Sequence, residues 1–244
     1  YNVAIGLQAM RQTTTGDYNT SVGFQALYSN TIGSYNLALG HQALYANVSG
    51  GSNIAIGIGA MDSNTYGGNN VAIGPYALSG NLSGNSNVAI GRDAMLTSDY
   101  TSYNVAVGYR AMRQTTTGDN NTAVGYQALY ANTTGRQNVA MGHNALQNNT
   151  IGSFNIGIGY TALASTTTGI SNVALGTGAL SYNITGSNNV AVGTQSLYTA
   201  NGTQYNTAIG TSAMFYTTTG DANVAVGYQT LYSNTTGVNN TSIG

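Results

Sequence analysis

Lysine, glutamate, cysteine and tryptophan are absent from this chain, and proline occurs once. Without cysteine there is no disulfide framework, no thiolate nucleophile and no thiolate metal site. Without lysine or glutamate, formal charge rests on five Arg and six Asp, 5 % of the residues, against roughly a quarter in ordinary globular proteins. So sparse and balanced a set makes no basic face to neutralise phosphates, and nucleic acid is not an expected partner. No apolar run approaches the ~18 residues of a membrane-spanning helix, so membrane insertion is not expected either. General acid–base work would fall to scattered Asp and two His, with no Ser/His/Asp constellation among them. No catalytic, metal-binding or cofactor-binding residue is therefore assigned, and the chain is not expected to be an enzyme.

What the sequence has in abundance is self-similarity. Asn2-Val3-Ala4-Ile5-Gly6 returns as Asn19-Thr20-Ser21-Val22-Gly23 and again down to Asn240-Thr241-Ser242-Ile243-Gly244, fifteen Asn at an unbroken spacing of 17. A fixed period of this kind is the signature of a repeat architecture. With that Asn as position 1 of each coil, position 2 is Val, Ile, Leu or Thr and position 4 is always Val, Ile, Leu or Met. Alternation with period 2 reads as a short strand, and hydrophobicity predicts that positions 2 and 4 point inward. Position 9, Leu or Met in all fourteen complete coils, supplies the opposing wall. Recurrent Gly, Thr and Asn argue against helix. The expected fold is all-β: a parallel β-solenoid, or β-roll, of about 14 coils with 17 residues each.

Four positions carry small or turn-forming residues. Gly stands at position 5 in all fifteen copies and at position 15 in twelve of fourteen, which predicts corners of positive φ or close backbone approach. Asn at position 1 predicts an amide ladder running from coil to coil. Position 3 is Ala twelve times, Ser twice and Gly once. Placed outward by the alternation, such smallness suggests that a second copy of the chain packs closely against Ala106, Ala123 and their equivalents.

A longer period overlies the first. Ala9 to Asp17 recurs unchanged as Ala111 to Asp119, 102 residues or six coils later, as do His41 at His143 and Thr101 at Thr203. The array, residues 1–244, is read as one solenoid with a super-repeat of 1–102, 103–204 and a partial 205–244, and as a segment of a longer chain. Residues 17 apart should be neighbours, which sets Asp93 beside Arg110 and Arg11 beside Tyr28. His41 and His143, both at position 6, would stand roughly 29 Å apart at ~4.8 Å per coil, too far to share a metal ion.

The run Asn104-Val105-Ala106-Val107-Gly108-Tyr109-Arg110-Ala111 resembles the haemagglutinin/invasin-type head repeats of trimeric autotransporter adhesins. The fuller Gly125-Tyr126-Gln127-Ala128-Leu129-Tyr130-Ala131-Asn132-Thr133-Thr134-Gly135 is similar to repeat arrays of phage and large-virus tail fibres. The resemblance implies a left-handed parallel β-roll, three chains about one axis, and an exported, adhesive role. The expected function is thus a structural protein, a rigid extracellular or cell-surface shaft formed by self-association as a homotrimer or end-to-end fibre. A second reading is a glycan- or surface-binding tail-fibre segment of a virion, with Tyr28, Tyr45 and Tyr130 as surface-binding residues. A third is an ice-binding array of the Thr at positions 12 to 14. Sequons at Asn47, Asn81, Asn132, Asn183 and Asn234 share position 12, which predicts an exposed edge open to glycosylation.

Overall fold

The computed structural model describes residues 1–244 and is all-β, with fifteen parallel strands of three residues and about fourteen 17-residue turns. Two compact units, Tyr1–Asn120 and Asn121–Gly244, repeat the same coil. In the first are β1 (Val3–Ile5), β2 (Thr20–Val22), β3 (Leu37–Leu39), β4 (Ile54–Ile56), β5 (Val71–Ile73), β6 (Val88–Ile90) and β7 (Val105–Val107). In the second are β8 (Thr122–Val124), β9 (Val139–Met141), β10 (Ile156–Ile158), β11 (Val173–Leu175), β12 (Val190–Val192), β13 (Thr207–Ile209), β14 (Val224–Val226) and β15 (Thr241–Ile243). Each strand pairs with the next in its unit at an offset of 17 residues, as Val71 with Val88 and Ile156 with Val173.

The strands show the expected alternation, but its two faces are exchanged. Position 3 lies inside: Ala38, Ala55, Ala72, Ala89 and Ala106 are fully buried, as is Ala123 in the second unit. Positions 2 and 4 are half-buried or exposed in every strand. The reason is volume. A hydroxyl at position 3 already reaches across the coil, where Ser21 Oγ donates to the Ala26 carbonyl at 2.8 Å. A Cβ built on Gly157, which occupies the same position, lies 3.2 Å from the Ala162 carbonyl oxygen and 3.3 Å from Leu146 Cγ. One methyl fills that space, and a pair of Val or Ile could not. The small residues at position 3 thus admit the chain's own opposite wall, which corrects the expectation that Ala106 and Ala123 admit a second copy. That wall is Ala at position 8 with Leu or Met at position 9, as in Ala77 and Leu78, both fully buried.

The corners follow from glycine geometry. Gly at position 5 has φ between +126° and +140°, a region open to glycine alone, and every strand ends there. Position 15 serves the other need, close approach: a Cβ on Gly33 would overlap Asn30 Oδ1 and the Gly50 carbonyl oxygen. Thr replaces Gly at this position only in Thr101 and Thr203, in the coils where position 12 is Ser98 or Ala200. A small residue at 12 removes the amide that excludes a side chain at 15.

Left-handed backbone also appears at positions 7, 9 and 17 without glycine, for example Gln25 (φ 53°), Leu27 (φ 55°) and Tyr35 (φ 62°). Such residues each cost of order 1 kcal/mol unless their surroundings hold them. Here each aims its N–H at another coil: Gln25 to the Leu7 carbonyl at 3.0 Å, Leu27 to Ala43 at 2.9 Å and Tyr35 to Asp17 at 3.0 Å. The hydrogen-bond ladder therefore continues around the turns and is not confined to the three-residue strands.

Candidate functional site: amide ladders, an aliphatic face and aromatic columns

The predicted Asn ladder at position 1 is present within both units. Asn70 Nδ2 donates to the Gly84 carbonyl of its own coil at 2.8 Å, which ties the coil's beginning to its end. Asn70 Oδ1 accepts the backbone N–H of Asn87 at 2.9 Å and the Asn87 side-chain amide at 3.2 Å. The same arrangement recurs at Asn172, Asn189 and Asn206. These amides are fully buried, where the low dielectric strengthens each bond and makes its loss costly.

A second ladder occupies position 12, where sequon spacing had predicted an exposed edge. Asn47, Asn81, Asn132 and Asn183 are fully buried and Asn234 is half-buried. Asn47 Nδ2 donates to Asn30 Oδ1 at 2.8 Å and to the Gly50 carbonyl at 2.9 Å. Asn81 repeats this with Asn64 and Gly84. Asn132, Asn183 and Asn234 each donate to the Gly three residues on, at 3.0, 2.9 and 3.2 Å. The nitrogen a glycan would take is thus inside the folded coil, which corrects the glycosylation expectation. The ladder stops where its residue type changes: Asn81 Oδ1, followed by Ser98, and Asn149 Oδ1, followed by Thr166, are buried without a donor. Thr115 and Thr217 at the same position, and Thr101 and Thr203 beside them in the coil below, also bury unpartnered hydroxyls.

The Thr of position 13 direct their hydroxyls into the stack. Thr14, Thr31, Thr133, Thr150 and Thr218 each donate to a carbonyl 17 residues on, at 2.9 to 3.0 Å. Those donor protons are spent within the stack, whereas Thr15, Thr117, Thr134, Thr168 and Thr219 at position 14 are exposed, so an ice-binding reading rests on the position-14 row.

Two features face outward. The first is aliphatic. Across β1 to β7, Thr20 is the single exception among the fourteen side chains at positions 2 and 4, which are otherwise Val, Ile or Leu, with no charge. Sequence reasoning missed this face because it ranked Val and Ile as interior by hydrophobicity. The uniform smallness of positions 3 and 8 was the signal that could have revealed it.

The second is a set of aromatic columns. Tyr28 and Tyr45 at position 10 are brought together, with ring centroids 5.2 Å apart and planes 14° from parallel. They are half-buried, as is Tyr130 in the second unit. Arg11 stands 5.9 Å from the Tyr28 ring centre and donates to its hydroxyl at 3.1 Å, in the predicted register. Asp93 and Arg110 meet as expected at 3.2 Å. More exposed than the position-10 rings are those of position 17, where Tyr1, Tyr18 and Tyr35 stack at 5.4 and 5.1 Å. His41 stacks on Phe24, and His143 lies between Tyr126 and Tyr160; both His are exposed.

Among the phenols, Tyr198 titrates above its ordinary value of 10.0, because its hydroxyl bonds with Tyr182 and is partly withdrawn from water. A raised folded pKa means that this contribution to stability is complete below the unfolded value and is lost as pH rises through the folded one. Tyr182→Phe is expected to return the Tyr198 ionisation toward its ordinary value, measurable as an earlier absorbance change in alkaline titration. A scan of protein-family models, a search of curated proteins and a search of solved structures return no match to this chain.

Proposed function

We propose that this chain is a structural protein, a shaft segment of an extracellular or virion fibre, that assembles with further copies of itself through the aliphatic face of positions 2 and 4. The observation that carries the proposal is that face. Its seven rungs in the Tyr1–Asn120 unit, three residues wide, cover on the order of 300 Å² at ~4.8 Å per rung, as large as the biggest apolar patch of a typical monomer. A copy of the same chain presents side chains at the same spacing, so Val and Ile rows can interdigitate rung by rung, and no charge opposes their contact. Closed symmetry is the usual outcome of such self-complementarity. The resemblance to adhesin head repeats suggests three copies, and the thin core of each coil gives assembly a thermodynamic reason.

Ile73→Arg combined with Ile90→Arg is expected to reduce the assembly to single chains in light scattering while circular dichroism stays that of the parent. An unchanged mass would remove the face from the account. The alternative of a glycan- or surface-binding segment draws on the exposed Tyr column at position 17 more than on Tyr28, Tyr45 and Tyr130, whose rings are half-buried.

A further inference from the structure

We propose that Tyr18, with Tyr35 above it and Tyr1 below, is an oxidative cross-linking site that joins successive coils of one chain through dityrosine. This inference stands apart from the fibre reading, because it concerns neighbouring coils within a single chain. Tyr18 and Tyr35 stack with ring centroids 5.1 Å apart and planes 8° from parallel, and Tyr1 and Tyr18 at 5.4 Å and 18°. Tyr18 is 50 % and Tyr35 63 % exposed, so an oxidant reaches the phenols and the rings are free to turn about their side-chain bonds. Their backbone is fixed, since Tyr35 N–H is held by the Asp17 carbonyl at 3.0 Å. Two phenols are thereby kept at coil spacing without being packed in place.

The rest of the chain directs oxidation to such phenols. There is no Cys and no Trp, and Met61, Met95, Met112 and Met214 are fully buried; Met141 is exposed, but a thioether takes up oxygen and forms no carbon–carbon cross-link. Other phenol pairs meet differently: Tyr182 with Tyr198 and Tyr216 with Tyr232 are edge to face, not stacked. Tyr103 and Tyr205, also at position 17, have Ser86, Asn120, Asn188 and Ala222 in the adjacent coils. His143 separates Tyr126 from Tyr160, and Phe215 separates Tyr198 from Tyr232. Tyr28 and Tyr45 do stack, but they are half-buried and Arg11 holds the Tyr28 hydroxyl. Tyr18 is the phenol with a stacked, exposed phenol on both sides.

The chemistry requires a one-electron oxidant of the peroxidase type, with hydrogen peroxide as the terminal acceptor. Each phenol gives up one electron and its hydroxyl proton. The two radicals join by a carbon–carbon bond between ring positions ortho to oxygen, and the two ring hydrogens at that bond move to the oxygens as aromaticity is restored. Two protons and two electrons leave the protein and convert one hydrogen peroxide into two waters.

The test uses the full chain, dilute, with a haem peroxidase and hydrogen peroxide. The expected result is dityrosine fluorescence in a product that still migrates as a single chain under denaturing conditions, lighter by two hydrogens, with peptide mapping that joins Tyr18 to Tyr35 or Tyr1. Tyr18→Phe preserves the stack but breaks the phenol run, and is expected to lower the fluorescence severalfold; Tyr28→Phe is expected to leave it near the parent level. Yield unchanged in Tyr18→Phe, or a product consisting chiefly of cross-linked dimers, would overturn the proposal.

Discussion

Ala72→Arg is expected to unfold the coil that carries it, at a cost above about 5 kcal/mol, the range reserved for gross core disruption. Ala72 is the middle residue of β5 and has no exposed surface. At the equivalent Gly157 a single added carbon already stands in contact with Leu146 and the Ala162 carbonyl, so a long side chain has nowhere to go. Its charge would also be buried without a partner, which adds a desolvation cost that packing cannot offset. Because a solenoid coil touches only its neighbours, loss of one coil also deprives the coils beside it of their ladder partners. The neighbouring Ile73→Arg, pointing outward, is expected to cost under about 1 kcal/mol in the isolated chain. Urea denaturation of the two variants under dissociating conditions checks the pair. If Ile73→Arg proved the more damaging, inside and outside would be the wrong way round.

Asn70→Ala comes second, at about 3–4 kcal/mol. The backbone N–H of Asn87 would lose its only acceptor in a buried setting, a penalty of roughly 1–3 kcal/mol. The Gly84 carbonyl would keep only the Asn81 amide at 3.1 Å, so the join between the coil's beginning and end is weakened but not orphaned. The remaining cost comes from the cavity left by the amide. Hydrogen exchange gives the specific readout: the Asn87 amide should lose protection before amides two coils away. An Asn87 amide as protected as in the parent, with an unmoved denaturation midpoint, would mean that the ladder contributes little.

What could be read from the sequence was whatever depends on register alone. The period placed Asp93 against Arg110 and Arg11 against Tyr28, set the glycine corners at position 5, and located the Leu/Met wall and the first Asn ladder. What could not be read that way depends on cross-section. Alternation says that Val71 and Ile73 share a face and Ala72 takes the other, but not which face is interior. A hydrophobicity ranking favours the larger residues, whereas a coil this narrow has room only for the smaller. Asn47 and Asn81 failed for a related reason: a three-residue sequon is a local pattern, and burial of its amide is decided by Gly50 and Gly84 and by the coil stacked above. The pairing of Ser98 with Thr101 and of Ala200 with Thr203 did carry that information, since a side chain at position 15 appears only where the amide at position 12 is gone. The aromatic columns were legible as columns, but their exposure was not. Position 10, chosen as the binding edge, is the more sheltered one.

An interior of methyl groups and stacked amides also bears on how this fold responds to temperature. Exposed apolar surface raises the heat capacity on unfolding and exposed polar surface lowers it, and ordinary domains come out near 12–15 cal/mol/K per residue. Here most coils shelter two alanines and one Leu or Met beside one or two asparagine amides, as Ala72, Ala77 and Leu78 lie beside Asn70 and Asn81. The two contributions partly cancel, so the isolated coil's free energy should change with temperature along a shallow curve. A fold of this kind keeps much the same stability in the cold as in the warm.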